Sequence, residues 1–286
     1  MKQITVISGK GGTGKTTLVG AFASLAENKV LADCDVDASD LHLILEPEIK
    51  MSDDFKGLKT ARIDESECIK CGKCYELCRF NAIENFRVNE MLCEGCGVCE
   101  FICPVNAISM KEKIAGKVFI SETRFGPLCH ARLYPGEEAS GKLVTIVRNK
   151  AKGIAEERNL DLIIIDGSPG IGCPVIASIG GVDLALIVTE PTVSGIHDLK
   201  RILNVTEHFG VKAIVCINKY DINNRRAMEI EDYCNENDII ISGKIPYDMN
   251  FTRAMVNGKT IMEYINSNSN ISKIIKGIWD EINNNL

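Results

Sequence analysis

The stretch GKGGTGKT, residues 9–16, fits the pattern G-x-x-x-x-G-K-[ST]. A strand-like KQITVIS precedes it and a helix-like TTLVGAFASLAE follows. A chain that passes from strand to helix through four glycines can turn its backbone N–H groups inward around phosphate oxygens, and the helix N-terminus adds favourable partial charge. Lys15 is placed to reach the β- and γ-phosphates, and the Thr16 hydroxyl to ligate Mg²⁺. Gly9, Lys10, Gly11, Gly12, Thr13, Gly14, Lys15, Thr16 and Thr17 are therefore the candidate nucleotide-binding residues of this loop.

Such a loop needs a sheet to carry it. KVLAD (29–33), DLIIIDG (161–167), DLALIVTE (183–190) and KAIVCINKY (212–220) are apolar runs of buried-strand length. Helix-like patterns such as GIHDLKRILNVTEHFG lie between them. Near-continuous apolar strands alternating with helices predict an α/β fold, a doubly wound and mostly parallel sheet covered on both faces. Net charge is −6, which weighs against unspecific nucleic-acid binding. No run of 18 apolar residues predicts a membrane span. No export signal is visible, so a cytoplasmic location is expected.

Residues 64–110 interrupt the strand–helix alternation. CIKCGKCYELCRFNAI (68–83) repeats 25 residues later as CEGCGVCEFICPVNAI (93–108). Eight of the thirteen cysteines fall in this stretch, each run reading C-x2-C-x2-C-x3-C. Soft thiolates in tight turns suit iron–sulfur clusters, and this is the spacing of bacterial two-cluster ferredoxins, in which the fourth cysteine of each run serves the other cluster. The expected sets are Cys68, Cys71, Cys74 and Cys103 for one [4Fe–4S] cluster, and Cys93, Cys96, Cys99 and Cys78 for the other. Structural zinc also uses C-x2-C pairs, but it does not explain two complete runs with the same N-A-I tail. Arg79 stands where the second run has Pro104. The expected organisation is a nucleotide-binding domain over residues 1–63 and 111–286, with a small inserted α+β 2[4Fe–4S] ferredoxin domain over 64–110.

The extra lysine of the loop, Lys10, narrows the comparison. The K-G-G-x-G-K-T form resembles the deviant Walker A ATPases of the MinD, ParA and Mrp type and the nitrogenase iron protein, and the whole chain resembles members of that superfamily carrying an inserted ferredoxin domain. The resemblance implies an ATP-bound homodimer in which Lys10 contacts the partner's nucleotide, with ATP/ADP and Mg²⁺ as ligands. It implies that LADCDVDASDLH (31–42) is switch I, where Asp35 orients the attacking water and Asp33 or Asp37 assists the Mg²⁺ shell. It makes IIIDGSPGIG (163–172) switch II, where Asp166 holds a Mg²⁺-bound water and Gly170 senses the γ-phosphate. Asn218 of INKYD would contact the adenine, and IPYD (245–248) would line the base pocket. Lys10, Lys15 and Asp35 are the catalytic candidates.

Cys173 lies seven residues after Asp166, the spacing of a cluster-bridging cysteine in the nitrogenase iron protein. The other bridging stretch is broken: PGEEASGK (135–142) has Ala139 at that place, with Cys129 as a possible substitute. The terminal ISKIIKGIWDEI carries isoleucines at helical spacing and reads as a core-packing helix. Taken together, the leading expectation is an ATP-driven switch that gates electron transfer through two [4Fe–4S] clusters to a redox or iron–sulfur acceptor protein. The alternative is a cluster carrier with a labile cluster at Cys173. A third reading, a MinD/ParA-type positioning ATPase, is disfavoured by the acidic pI and the weakly basic terminal helix.

Overall fold

A computed structural model of the chain describes residues 1–137 and 141–286. Its eleven strands are β1 (Lys2–Ser8), β2 (Lys29–Asp33), β3 (Glu48–Ile63), β4 (Ile83–Glu84), β5 (Arg87–Val88), β6 (Ile108–Thr123), β7 (Gly126–Leu133), β8 (Leu162–Pro169), β9 (Leu184–Thr189), β10 (Lys212–Asn218) and β11 (Ile240–Ile245). Nine of them form one sheet in the order β11-β10-β9-β1-β8-β2-β7-β6-β3. From β11 to β7 every neighbouring pair is parallel. β1 sits between β8 and β9, so the chain reverses its winding direction there. In an open α/β sheet the crevice beyond the strand ends at such a point is where ligands bind.

The central strands are apolar because helices cover both faces. Ile4, Val6, Ile164, Leu186 and Ile214 are fully buried. Burying one side chain of this size contributes about 1.5–3 kcal/mol. The terminal helix Asn270–Asn285 turns Ile271, Ile275, Ile278, Trp279 and Ile282 into this core. Trp279 packs on Phe22 with ring centroids 5.3 Å apart. That apolar face is occupied by the protein itself.

The chain divides into two compact units, one of Met1–Ser52, Val118–Arg132 and Ala139–Leu286, the other of Asp53–Lys117 and Leu133–Glu138. In the second, the 25-residue repeat is a structural repeat. Gly72 (φ +80°) and Gly97 (φ +75°) each start a one-turn helix, Lys73–Glu76 and Val98–Phe101. The Cys78 sulfur accepts from the Ala82 amide at 3.3 Å, and Cys103 from Ala107 at 3.2 Å. β4 and β5 pair antiparallel across a turn in which Asn85 and Phe86 both have positive φ.

Two expectations are corrected here. The sheet is mixed: β6 returns to β7 through the tight Arg124–Phe125 turn, which makes that pair antiparallel. The inserted 2[4Fe–4S] domain is overturned, because among the described residues no group of three or more His, Cys, Asp or Glu side chains is placed to hold a metal ion. Cys68, Cys71, Cys74 and Cys103 line one small cavity, and Cys93, Cys96 and Cys99 line another with Cys74 and Cys78. Sharing a cavity wall is weaker than convergence on one point. Cys74, Cys78, Cys93, Cys99 and Cys103 pack with Ala61, Ile83 and Ile108, as small apolar groups do. Burial also raises the Cys74 and Cys99 thiols above their ordinary value.

Candidate functional site

The loop after β1 begins the site. Gly12 (φ +79°) and Gly14 (φ +97°) take left-handed backbone angles that glycine adopts without strain. Gly14 is also the N-cap of the helix Lys15–Leu25, and a Cβ on it would lie 2.5 Å from the side-chain Nδ2 of Asn218. The loop opens onto a cavity of about 350 Å³. Gly11, Gly12, Lys15, Thr16 and Thr17 line it from one side, Asn218, Pro246, Tyr247 and Asp248 from another.

Lys15 is buried and its Nζ lies 3.3 Å from Asp35 Oδ2, itself buried. Burial raises the Asp35 carboxyl above the ordinary carboxylate value, and Lys15 partly offsets this. Asp33 is engaged elsewhere. Its carboxylate accepts from the Ser39 hydroxyl at 2.7 Å and from the amides of Asp35 and Leu41 at 3.2 and 3.3 Å. It therefore ties the segment after β2 into a loop. Asp37 is exposed.

Asp166 is fully buried near the end of β8, in register with Val6 of β1 and Asp33 of β2. Among the described residues neither of its carboxylate oxygens has a hydrogen-bond partner. The Thr16 hydroxyl lies close by without completing a bond. Burial raises this carboxyl well above its ordinary value, against the pull of Lys15. A buried carboxylate left unpaired costs folding free energy unless something occupies the space beside it. A divalent cation held by Thr16 and Asp166 fits that requirement. Behind it, the Ser168 hydroxyl donates to the Cys34 carbonyl at 2.7 Å and the Cys34 amide to the Asp166 carbonyl at 2.8 Å, which joins the segments after β2 and β8.

Other candidate residues are already engaged. The Gly170 amide (φ +92°) donates to the Ser8 carbonyl at 2.8 Å. Asn218 donates from Nδ2 to the Thr13 carbonyl at 2.7 Å and accepts from the Lys219 amide at 2.9 Å. Its side chain supports the phosphate loop. The Tyr247 amide donates to Asp221 at 2.7 Å, linking INKYD to IPYD. Phe251, Thr252 and Met255 complete the cavity wall, and sequence reading missed them. Their only signal was proximity to IPYD. Lys10 points to Glu190, with Nζ 2.5 Å from Oε1.

The CobQ/CobB/MinD/ParA nucleotide-binding domain family matches residues 4–261. The chain belongs to this family. An uncharacterized protein of Methanocaldococcus jannaschii is 35% identical over 98% of this chain and 96% of its own length. The septum site-determining protein MinD of Buchnera aphidicola (subspecies Acyrthosiphon pisum) is 27% identical over 93% of this chain and 86% of its own. Among solved structures, the MinD protein of Pyrococcus horikoshii complexed with Mg-ADP superposes with a TM-score of 0.60 at 17% identity, covering 98% of this chain and 95% of that one. The chain is a P-loop ATPase.

The family match runs through residues 64–110 as part of a nucleotide-binding domain. Together with the lack of a metal-holding group among the described residues, it overturns the reading as a cluster-bearing ATPase. The two [4Fe–4S] cofactors, the gated electron transfer and the redox or iron–sulfur acceptor partner fall with it. So does the carrier with a cluster at Cys173. Cys173 is exposed at the start of the short helix Cys173–Ile179. Cys129 is buried in β7, and burial pushes its thiol up to about 12. Ala139 lies outside the described residues.

Proposed function

We propose that this chain is a MinD/ParA-type ATPase, a nucleotide-operated switch whose ATP form pairs with a second copy and whose hydrolysis releases it. The buried Asp166 carboxylate, left without a partner beside a phosphate loop, carries this reading. Mg²⁺ held by Thr16 and Asp166 would draw charge from the phosphate oxygens.

In this reading Lys15 exchanges Asp35 for the β- and γ-phosphates when nucleotide enters. The exchange frees the Asp35 carboxylate to accept a hydrogen bond from a water and aim it at the γ-phosphorus. Water oxygen bonds to phosphorus, the bond to the β–γ bridging oxygen breaks, ADP leaves with that electron pair, and the water's proton passes to a phosphate oxygen as inorganic phosphate forms. Gly170 would exchange the Ser8 carbonyl for a γ-phosphate oxygen, so the segment after β8 responds to whether that phosphate is present. Lys10 would supply positive charge to the partner's nucleotide, where negative charge grows during transfer. Tyr247 and Asp248 would flank the base, with Asn218 holding the loop.

Sedimentation velocity with ADP and with a slowly hydrolysed ATP analogue tests the switch. Dimers are expected with the analogue and monomers with ADP. Monomers in both, alongside intact turnover, would overturn the pairing.

A further inference from the structure

Lys10 is held by more than one contact. Besides Glu190, its ammonium lies 3.3 Å from the Thr192 hydroxyl and 3.2 Å from the Ser194 hydroxyl. The Glu190 carboxylate is shared. Oε1 faces Lys10, while Oε2 lies 3.3 Å from Lys219 Nζ, which also donates to the Gly12 carbonyl at 3.1 Å. One carboxylate therefore joins the phosphate loop to the end of β10. We propose that Glu190 is a positioning residue that keeps Lys10 on its own chain, and that Lys10 leaves it when ATP brings two copies together. The proposal rests on the reading of Lys10 as the lysine that acts across the pair.

The surroundings of Glu190 are stiff. Thr192 caps the helix Val193–His208, accepting from the Gly195 amide at 2.9 Å. A Cβ on Gly195 would lie 2.2 Å from the Glu190 carbonyl oxygen, so only glycine lets the helix approach this closely. A Cβ on Gly9 would lie 2.3 Å from the Asp198 Cβ, which fixes the loop's start against the same helix. The Glu190 side chain is only 15% exposed. Burial opposes its charge, but Lys10 and Lys219 outweigh burial and hold the carboxyl below its ordinary value. When Lys10 departs, Lys219 still neutralises Glu190. The Glu190 carboxylate is therefore not left alone, and the cost of the exchange falls on Lys10. Lys10 itself must leave three acceptors at once, which sets a threshold on pairing.

The test is the analogue concentration at half-maximal dimerisation, measured by sedimentation. Glu190→Gln should lower it about threefold to fivefold, the effect expected of one partly exposed ion pair. In a Lys10→Gln background the same change should do nothing, since there is no ammonium to hold. Ser194→Ala, at an exposed hydroxyl, should shift the midpoint the same way by less, and it decides the matter if Glu190→Gln fails to fold. An unchanged midpoint in these variants, or an equal shift without Lys10, overturns the proposal while pairing itself stands. Failure of the natural chain to pair overturns both.

Discussion

The two units bury chemically reactive side chains in opposite ways. At the ends of β2 and β8, carboxylates and a lysine are buried together, and Asp166 keeps two oxygens without partners among the described residues. In the smaller unit, Cys74 is buried and Cys78, Cys93, Cys99 and Cys103 half-buried among Ala61, Ile83 and Ile108. A carboxylate cannot be buried without cost, so an unpaired one marks a place shaped for something else. A thiol is a small apolar group, and its burial needs no further account. Lys15 and Asp35 come together beside the phosphate loop, whereas among the described residues the regularly spaced cysteines form no metal-holding group.

Removing the charges should produce the largest effects. Lys15→Gln should lower ATP turnover by about 100-fold or more, read as phosphate release. Asp166→Asn should do the same while stabilising the nucleotide-free protein by about 1–3 kcal/mol, seen as a higher urea midpoint. A substitution that abolishes activity yet raises stability is what an unpaired carboxylate predicts. Loss of both would place Asp166 in the structural framework and break the comparison.

Within the smaller unit, Ile108→Ala should cost about 2–4 kcal/mol, as large-to-small core changes do. Amide exchange should show the loss over residues 53–117, with ATP affinity changed less than about twofold. A global loss would mean that the units do not unfold separately.

A smaller effect is expected from His130. Burial lowers its pKa from 6.5 to about 4, and its Nε2 lies 2.9 Å from the Ser121 hydroxyl. Because the folded value lies below the unfolded one, the unfolded chain binds more protons between them, and stability falls as pH drops through that window. Between about pH 7 and pH 5 this should remove about 2 kcal/mol, at 1.36 kcal/mol per unit. His130→Gln should flatten that slope in urea titrations at each pH. Smallest of all, Cys173 should react with a thiol reagent in the native protein, with Cys34, Cys129, Cys216 and Cys234 protected by burial. Mass mapping of labelled peptides reads this directly.

Much of the larger unit was legible. KVLAD, DLIIIDG, DLALIVTE and KAIVCINKY all lie on strands, because a strand buried on both faces must be apolar throughout. β3 was not legible. Its sequence EIKMSDDFKGLKTARI is largely exposed and charged, so no apolar run announces it. Polar side chains suit an edge strand, which would otherwise invite pairing with another chain.

By itself the sequence determined the phosphate loop, the parallel core and the acidic residues at its strand ends. Those features depend on local order: glycines between a strand and a helix, and apolar runs of strand length. Only the tertiary structure decided how those acidic residues divide. Asp33 turns inward to tie its own loop, Asp35 pairs with Lys15, and Asp166 stays unpaired. It alone placed Glu190 between Lys10 and Lys219, residues far apart in the chain. Partner choice among buried charges depends on which strand ends the sheet brings side by side, and a linear spacing does not contain that.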